Sequence, residues 1–205
     1  MIEKKAKSIF ERVAPVYDFM EYLPEELAFS KWRKLLWSMV DEGDVLELGI
    51  GTGKNVPYYP SWITLHACDI SWNMVNIARK KSYIDLTHVD LSIMDVEELA
   101  YRDNSFDTIV GSFIICSVDD TVKTFAEIQR VCKPNGKILL LENVRSKNKV
   151  IGPIMDVINF FTSRIKGANI TRPTIDNIKR SNIVIEKFIP LFLDISWIIV
   201  CKNVK

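Results

Sequence analysis

The chain has 205 residues, of which 48% are hydrophobic and 26% are charged, and its formal net charge at pH 7 is +1. This length and composition predict a single packed domain. The net charge near zero argues against nucleic acid as a partner, because a protein that binds the phosphate backbone needs a basic surface. The four cysteines fall singly, without a C-x-x-C pair, so neither a disulfide framework nor a metal site is expected.

No targeting or membrane-spanning segment is evident in the sequence. The first residues lack the apolar core of a signal peptide, and no uncharged run reaches the length that crosses a bilayer. We therefore expect a cytoplasmic protein.

Residues 1–40 have a helical pattern and are rich in aromatic side chains, and after them strand and helix patterns alternate along the chain. The predicted strands are Asp44–Leu48, Thr64–Cys68, Thr87–Leu91, Phe106–Ser112 and Lys137–Asn143. The predicted helices are Asn55–Tyr59, Trp72–Lys81 and Asp120–Val131. Alternating strands and helices indicate a parallel sheet with helices on both faces.

The last part of the chain has a different pattern. An apolar helix is predicted over residues 151–165, followed by strands at Val184–Ile189 and Ile195–Lys202. Only five residues join these two strands, too few for a crossover helix, so the pair should be antiparallel. We expect one domain, 1–205, made of a helical lid (1–40), a core (41–145), a helical insertion on the acceptor side (146–181) and a closing hairpin (182–205).

The first predicted strand ends in a glycine-rich turn. Glu47 lies at the strand end, and Gly49, Gly51 and Gly53 follow at every second position. Glycine permits positive φ and lets a ligand approach bare backbone. We expect Thr52 to Asn55 to begin a helix whose free N–H groups face a nucleotide.

The type of nucleotide is limited by the spacing of these residues. Dinucleotide sites use G-x-G-x-x-G and hold a pyrophosphate, which a carboxylate at the position of Glu47 would repel. A P-loop needs a hydroxyl residue after its lysine, whereas this chain has Gly53-Lys54-Asn55. A nicotinamide dehydrogenase and a P-loop nucleotidase are therefore disfavoured.

Carboxylates lie at the ends of three successive predicted strands or just after them, at Glu47, Asp69 and Asp95. An acid at the end of the second strand can accept hydrogen bonds from both ribose hydroxyls. Asp95 can accept from an adenine amine, and Glu47 suits an amino-acid ammonium. Together the three acids fit adenosine joined to an amino-acid cation.

These motifs resemble a known family. Glu47-Leu-Gly-Ile-Gly-Thr-Gly53 with Cys68-Asp69-Ile70-Ser71 resembles the first two motifs of class I S-adenosylmethionine-dependent methyltransferases. Asp95-Val-Glu-Glu-Leu99 resembles their third motif, and Val131-Cys-Lys-Pro-Asn-Gly-Lys-Ile138 resembles the turn before their fifth strand. Within the family, Phe10-Glu-Arg-Val-Ala-Pro-Val-Tyr-Asp18 is similar to a segment of the ubiquinone/menaquinone, phosphatidylethanolamine and small-thiol methyltransferases.

The resemblance implies a Rossmann-like, seven-stranded, mostly parallel sheet with a C-terminal antiparallel hairpin. It implies S-adenosylmethionine as cofactor and S-adenosylhomocysteine as product, without a metal. The implied cofactor-binding residues are Glu47, Gly49, Gly51, Gly53, Asn55, Asp69, Ile70, Met74, Asp95, Val96 and Phe113.

The expected activity is methyl transfer to a small, apolar acceptor such as a lipid headgroup, a quinone or a thiol. Tyr17 and Glu142 are the candidates for positioning that acceptor. The apolar segment 151–165 is a candidate for peripheral contact with a membrane. A binding protein that holds S-adenosylmethionine or S-adenosylhomocysteine without catalysis is the alternative, and no oligomeric state follows from the sequence.

Overall fold

The computed structural model describes residues 5–81, 88–165 and 167–205. The strands are β1 (Gly43–Leu48), β2 (Ile63–Asp69), β3 (Val89–Ile93), β4 (Phe106–Ser112), β5 (Cys132–Asn143), β6 (Ile183–Phe192) and β7 (Ser196–Asn203). The helices are α1 (Lys5–Pro24), α2 (Ser30–Trp37), α3 (Trp72–Lys80), α4 (Thr121–Val131), α5 (Ile151–Ile165) and α6 (Thr174–Lys179). A π-helical turn, Glu25–Phe29, joins α1 to α2.

The strands form one seven-stranded sheet in the order β3-β2-β1-β4-β5-β7-β6. Strands β1 to β5 pair in parallel, whereas β7 runs antiparallel to both of its neighbours, β5 and β6. The predicted fold, a mostly parallel sheet closed by an antiparallel hairpin, is therefore confirmed. Among the described residues, no helix combines the length and the apolar character that crossing a bilayer requires.

Side chains of a strand alternate between the two faces of the sheet, so each strand contributes to two layers of the core. Leu46 and Leu48 of β1 lie in the layer that also contains residues of α4 and α6. Val45 lies in the opposite layer, with Leu36 and Trp37 of α2. The helix α2 is thus part of the core, while α1 lies at the carboxyl ends of the strands.

The predicted helix Asn55–Tyr59 is wrong, because the chain forms only a single 3₁₀ turn there, Val56–Tyr58. Two prolines explain the difference. Pro57 has no N–H to donate, and Pro60 disfavours helical backbone at the residue before it. Tyr59 accordingly has extended backbone, with φ −64° and ψ 129°.

The third strand lies two residues later than predicted, at Val89–Ile93 instead of Thr87–Leu91. Thr87 itself lies outside the described residues. The register follows β2, since Leu65 pairs with Val89 and Asp69 pairs with Ile93. Asp95 therefore still follows the end of β3.

The sixth strand is longer than predicted and continues through Pro190 to Phe192. Proline is tolerated because β6 is an edge strand, where one side of the backbone has no partner. The pairing of β6 with β7 shifts register twice, between Ile185 and Lys187 and between Pro190 and Phe192. The edge of the sheet is irregular as a result.

Candidate functional site

A cleft lies at the carboxyl ends of the parallel strands, and residues of α1 line one side of it. This is the edge where open α/β sheets bind ligands. Most of the predicted site residues line it: Tyr17, Gly49, Gly51, Asp69, Ile70, Met74, Asp95, Val96 and Phe113. Glu47, Gly53, Asn55 and Glu142 are not among the lining residues.

Other lining residues were not singled out from the sequence. They come from the start of α1 and from the chain that follows β3 and β4: Ala6, Phe10, Glu97, Ser112, Ile114, Ser117, Val118 and Asp119. The position of the loop after β4 could have been inferred, because it leaves the same edge of the sheet as the glycine-rich loop. The start of α1 has no comparable signal apart from the resemblance of the segment 10–18.

The glycine-rich loop is shaped by left-handed backbone at Gly49, with φ 72°, and at Gly51, with φ 57°. A Cβ atom on Gly49 would lie 2.7 Å from Cδ1 of Ile114, so no larger residue fits there without a shift. A Cβ atom on Gly51 would meet no atom within 4 Å, because this residue faces open space. The loop therefore presents bare backbone to the cleft.

Asp69 lies at the end of β2 and holds this loop in place. Its Oδ2 accepts a hydrogen bond from the Gly51 N–H at 2.8 Å, and its Oδ1 accepts from the Ser71 N–H at 2.9 Å. Burial raises the pKa of the carboxyl to about 6, although these hydrogen bonds oppose the shift. The carboxylate of Asp69 also lines the cleft.

Asp95 and Glu97 form the wall of the cleft after β3. Oδ1 of Asp95 accepts from the Glu97 N–H at 2.9 Å. Oε1 of Glu97 accepts from the N–H groups of Asp119 and Asp120, at 2.8 and 2.7 Å. These contacts join the loop after β3 to the loop before α4.

Glu47 lies beneath the glycine-rich loop, on the face of the sheet that α2 covers. Its carboxylate accepts hydrogen bonds from Asn55 Nδ2 and from the Tyr59 hydroxyl. Burial raises its pKa to about 7 despite these two donors. In this arrangement Glu47 and Asn55 support the loop from behind.

Arg33, which the sequence analysis did not identify, completes this buried network. Its guanidinium donates to Asn55 Oδ1 at 2.9 Å and to Ser112 Oγ at 3.0 Å, and it forms an ion pair with Glu25 at 3.1 Å. It also lies over the ring of Phe113, 5.5 Å from the centroid. Arg33 thus connects α2 with the loops after β1 and β4.

Glu142 lies at the end of β5 and is fully buried. Its Oε1 accepts from the Ile115 N–H at 2.7 Å, while Oε2 has no hydrogen-bond partner among the described residues. Burial raises its pKa to about 8. Glu142 therefore supports the loop 113–117, whose other side lines the cleft.

Tyr17 is the polar residue that α1 contributes to the cleft. Its burial raises the pKa of the phenol well above the ordinary value. The hydroxyl is therefore protonated at neutral pH and suits orientation of a ligand better than proton transfer.

Helix α1 is fastened across the cleft by two carboxylates. Glu11 accepts from the N–H groups of Trp72 and Asn73, at 2.7 and 3.1 Å, at the N-terminus of α3. Asp18 accepts from Thr52 Oγ1 at 2.6 Å and forms ion pairs with Lys81 and with Lys54. Because Thr52 belongs to the glycine-rich loop, its hydrogen bond to Asp18 joins α1 directly to that loop.

These features define a nucleotide-binding α/β protein. The sheet has one reversed strand between β5 and β6. Its carboxyl edge combines a glycine-rich loop with acids after two neighbouring strands, β2 and β3. This combination is the one that the sequence resemblance implies for class I methyltransferases.

Comparisons with known proteins agree with that class. The model of a family described as "Methyltransferase domain" matches residues 46–140. A phosphatidylethanolamine N-methyltransferase of Cereibacter sphaeroides is 34% identical over 103 residues, 49% of this chain and 51% of the relative. A ubiquinone/menaquinone biosynthesis C-methyltransferase of Rickettsia prowazekii is 32% identical over 170 residues, 77% of this chain and 67% of the relative.

Among solved structures, an S-adenosylmethionine-dependent methyltransferase of Thermotoga maritima has the same fold. Its TM-score is 0.71 at 21% identity, over 97% of this chain and 99% of that chain. The chain spans about half the length of the first curated relatives that it matches. The chain belongs to the class I S-adenosylmethionine-dependent methyltransferases, as the sequence resemblance predicted.

The cofactor of this family fits the cleft. The open space at Gly51 leaves room for a ligand against the backbone, and Asp69 offers carboxylate oxygens beside it. Asp95 and the apolar side chains of Ile70, Met74 and Val96 line the same cleft. Carboxylates that can accept from hydroxyl and amine groups, together with apolar walls beside a ring, suit an adenosine.

Proposed function

We propose that this chain transfers a methyl group from S-adenosylmethionine to a small, apolar acceptor, such as a lipid headgroup, a quinone or a thiol. The observation that carries the proposal is the convergence of Gly51, Asp69, Asp95 and Tyr17 on one cleft. The curated relatives include a phospholipid N-methyltransferase and quinone C-methyltransferases. They support the acceptor classes without selecting among them.

In this proposal each side of the cleft holds a different part of the cofactor. Asp69 accepts from the ribose hydroxyls, Asp95 accepts from the adenine amine, and the backbone at Gly49 and Gly51 lies against the amino-acid portion. The bound cofactor supplies an electrophilic methyl group on a sulfonium. Glu47, Gly53 and Asn55 act indirectly, by holding the loop that forms this surface.

The acceptor would enter between α1 and the loop after β4, where Tyr17 orients it. The segment 167–172 packs beside this entrance, since the Asn169 N–H donates to the Cys116 carbonyl at 2.8 Å and a Cβ atom on Gly167 would lie 3.2 Å from Ile9. Glu142 positions the loop 113–117 from beneath. Correct placement of the two reactants contributes about 7–11 kcal/mol in ideally oriented pairs.

Helix α1 serves as a lid in this mechanism. It covers the cleft and is held there by an apolar cluster of Ile9, Val13 and Ala14 with Met74 of α3. The polar contacts of Glu11 and Asp18 add to this attachment. A closed lid excludes water from the sulfonium and commits the acceptor. The residues of α2, which follow in the same N-terminal segment, stay in the core throughout.

The function can be tested with purified chain and methyl-labelled S-adenosylmethionine. Separate reactions contain phosphatidylethanolamine in detergent, a demethylated quinol or an alkyl thiol. The label in the methylated product and the amount of S-adenosylhomocysteine formed are both measured. Calorimetric titration with S-adenosylmethionine and with NAD accompanies the assay. We expect S-adenosylmethionine to bind, NAD not to bind, and one acceptor class to take up label.

Gly51→Val is the loss-of-binding variant for this experiment. Its side chain would enter the cleft from a residue with φ 57°, so binding and turnover should both be lost while the circular dichroism spectrum is kept. Binding without turnover on any acceptor class would favour the non-catalytic binding protein. Binding of NAD, or of neither nucleotide, would overturn the proposal.

A further inference from the structure

One helix of the protein exposes a continuous apolar surface. Large apolar side chains of α5 and of the residue before it recur at helical spacing on one face. We define the α5 stripe as Val150, Ile154, Val157, Ile158, Phe161 and Ile165. Their exposed fractions range from 47% for Ile158 to 67% for Val150, so the stripe is in water along its whole length.

The opposite face of α5 fastens the helix to the protein by a small contact. Gly152 and Met155 are its buried residues. The turn before the helix is held by Asp194, which accepts from Ser146 Oγ at 2.6 Å and from the Lys147 N–H at 2.8 Å. The core thus uses little of the apolar surface of α5, and the stripe is not needed for its packing.

The charges around the stripe are mostly of one sign. Residues 145–165 contain four cations, Arg145, Lys147, Lys149 and Arg164, and one carboxylate, Asp156. The carboxylate is neutralised by Arg145, which donates two hydrogen bonds to it at 2.8 and 2.7 Å. The remaining cations lie at both ends of the helix.

Arg164 occupies a position that suits an interface between oil and water. Its guanidinium carbon lies 3.6 Å from the ring centroid of Phe160, which is itself 53% exposed beside the stripe. Arginine at such an edge can bury its alkyl stem and keep its charge among polar groups. An apolar face flanked by cations is the pattern of helices that lie in the headgroup region of a bilayer.

A second copy of the chain fits this surface poorly. In a two-fold pair of parallel α5 helices, Lys147 and Lys149 would face the same residues of the other copy. In an antiparallel pair they would approach Arg164. Like charges are brought together in both cases, which disfavours the pair.

From the apolar stripe and its flanking cations we infer that α5 docks on an anionic membrane surface. The stripe enters the boundary between headgroups and acyl chains, and Lys147, Lys149 and Arg164 contact lipid phosphates. This inference does not depend on methyl transfer, because its measurement needs neither cofactor nor acceptor.

Vesicle flotation with the full chain tests the inference. Vesicles of phosphatidylcholine alone are compared with vesicles that also contain phosphatidylglycerol, each at low and at high salt. We expect binding to the anionic vesicles, roughly fivefold weaker for each cation removed in Lys147→Gln, Lys149→Gln and Arg164→Gln. The matched control is Lys123→Gln with Lys187→Gln, two exposed lysines on other elements, which should bind as the unaltered chain does.

The apolar contribution is tested with Ile158→Ser and Phe161→Ser together, which should weaken vesicle binding more than tenfold. Val122→Ser with Trp62→Ser replaces apolar side chains of similar exposure elsewhere and should have no effect. An unchanged circular dichroism spectrum and an unchanged urea midpoint show that each variant is folded. The inference would be overturned if the chain did not bind vesicles, or if the Ile158/Phe161 variant bound them as well as the Val122/Trp62 variant. It would also be overturned by a dimer in light scattering that only the Ile158/Phe161 variant dissociates.

Discussion

At the scale of single residues, we expect Asp69 to make cofactor binding depend on pH. Its pKa is raised to about 6 by burial, so the free protein takes up a proton there as the pH falls through that value. In the proposed complex the ribose hydroxyls donate to this carboxylate, so its protonated form should bind them less well. We expect the dissociation constant of S-adenosylhomocysteine to be constant near pH 7 and to rise below pH about 6, by up to tenfold per pH unit, in calorimetric titrations.

Asp69→Asn is the control for this dependence. The amide cannot titrate, so its weaker binding should vary little between pH 5 and pH 7. If the unaltered chain and Asp69→Asn show the same pH profile, another group is responsible and the proposed contact with the ribose is wrong.

Glu142 is predicted to make the stability of the folded chain fall as the pH rises toward about 8. Its pKa is about 8 in the folded chain and near 4.5 when the chain is unfolded, so the folded state binds more protons between these values. The stability that this proton provides is complete below pH about 4.5 and is lost as the pH rises through about 8. Glu142→Gln removes the titrating carboxyl, so it should raise the free energy of unfolding more at pH 8 than at pH 5, by about 3–4 kcal/mol.

Urea unfolding at the two pH values, followed by tryptophan fluorescence, measures this difference. Glu186→Gln replaces an exposed glutamate of β6 and should show no difference between the two pH values. An equal effect of Glu142→Gln at pH 5 and pH 8 would mean that the carboxyl is ionised in both conditions.

At the scale of elements, we expect the contacts of α1 to set how easily the cleft opens. Although burial opposes it, hydrogen bonds from Lys81 and Thr52 hold the pKa of Asp18 below its ordinary value, so this anchor is charged at neutral pH. Asp18→Asn weakens it without touching the cleft. We expect dissociation of S-adenosylhomocysteine to become several-fold faster in stopped-flow measurements, with a smaller change in the unfolding free energy.

Glu26→Gln is a suitable comparison, because Glu26 is an exposed acid on the turn that follows α1. Its dissociation rate should equal that of the unaltered chain. An unchanged rate in Asp18→Asn would show that α1 does not limit release of the ligand.

The sequence predicted the type of most elements because their patterns are local. Alternating apolar runs located the strands, and the short link before β7 correctly indicated an antiparallel pair. The helix predicted at Asn55–Tyr59 failed because Pro57 and Pro60 outweighed the expectation of a helix after a glycine-rich loop. The position of β3 was set by pairing with β2, which a local pattern does not contain.

At the scale of the whole molecule, the site residues also divide into those whose position follows from the sequence and those whose position depends on distant parts of the chain. Asp69 and Asp95 could be placed from topology alone, since each follows a parallel strand. The direction of the Glu47 side chain could not be predicted in this way, because Glu47 lies within β1 and the side chains of a strand alternate between the two layers of the core. Arg33 was missed for a similar reason, as its partners Glu25, Asn55 and Ser112 come from separate parts of the chain.

The irregular edge of the sheet has a consequence for how copies of this protein meet. Strand β6 contains Pro190, which has no N–H to offer, and its pairing shifts register twice. Another strand cannot extend such an edge with a regular ladder of hydrogen bonds, so this side resists the sheet-to-sheet growth that leads to fibrils. The hairpin of β6 and β7 can therefore lie at the surface without offering a regular edge to the strand of a second copy.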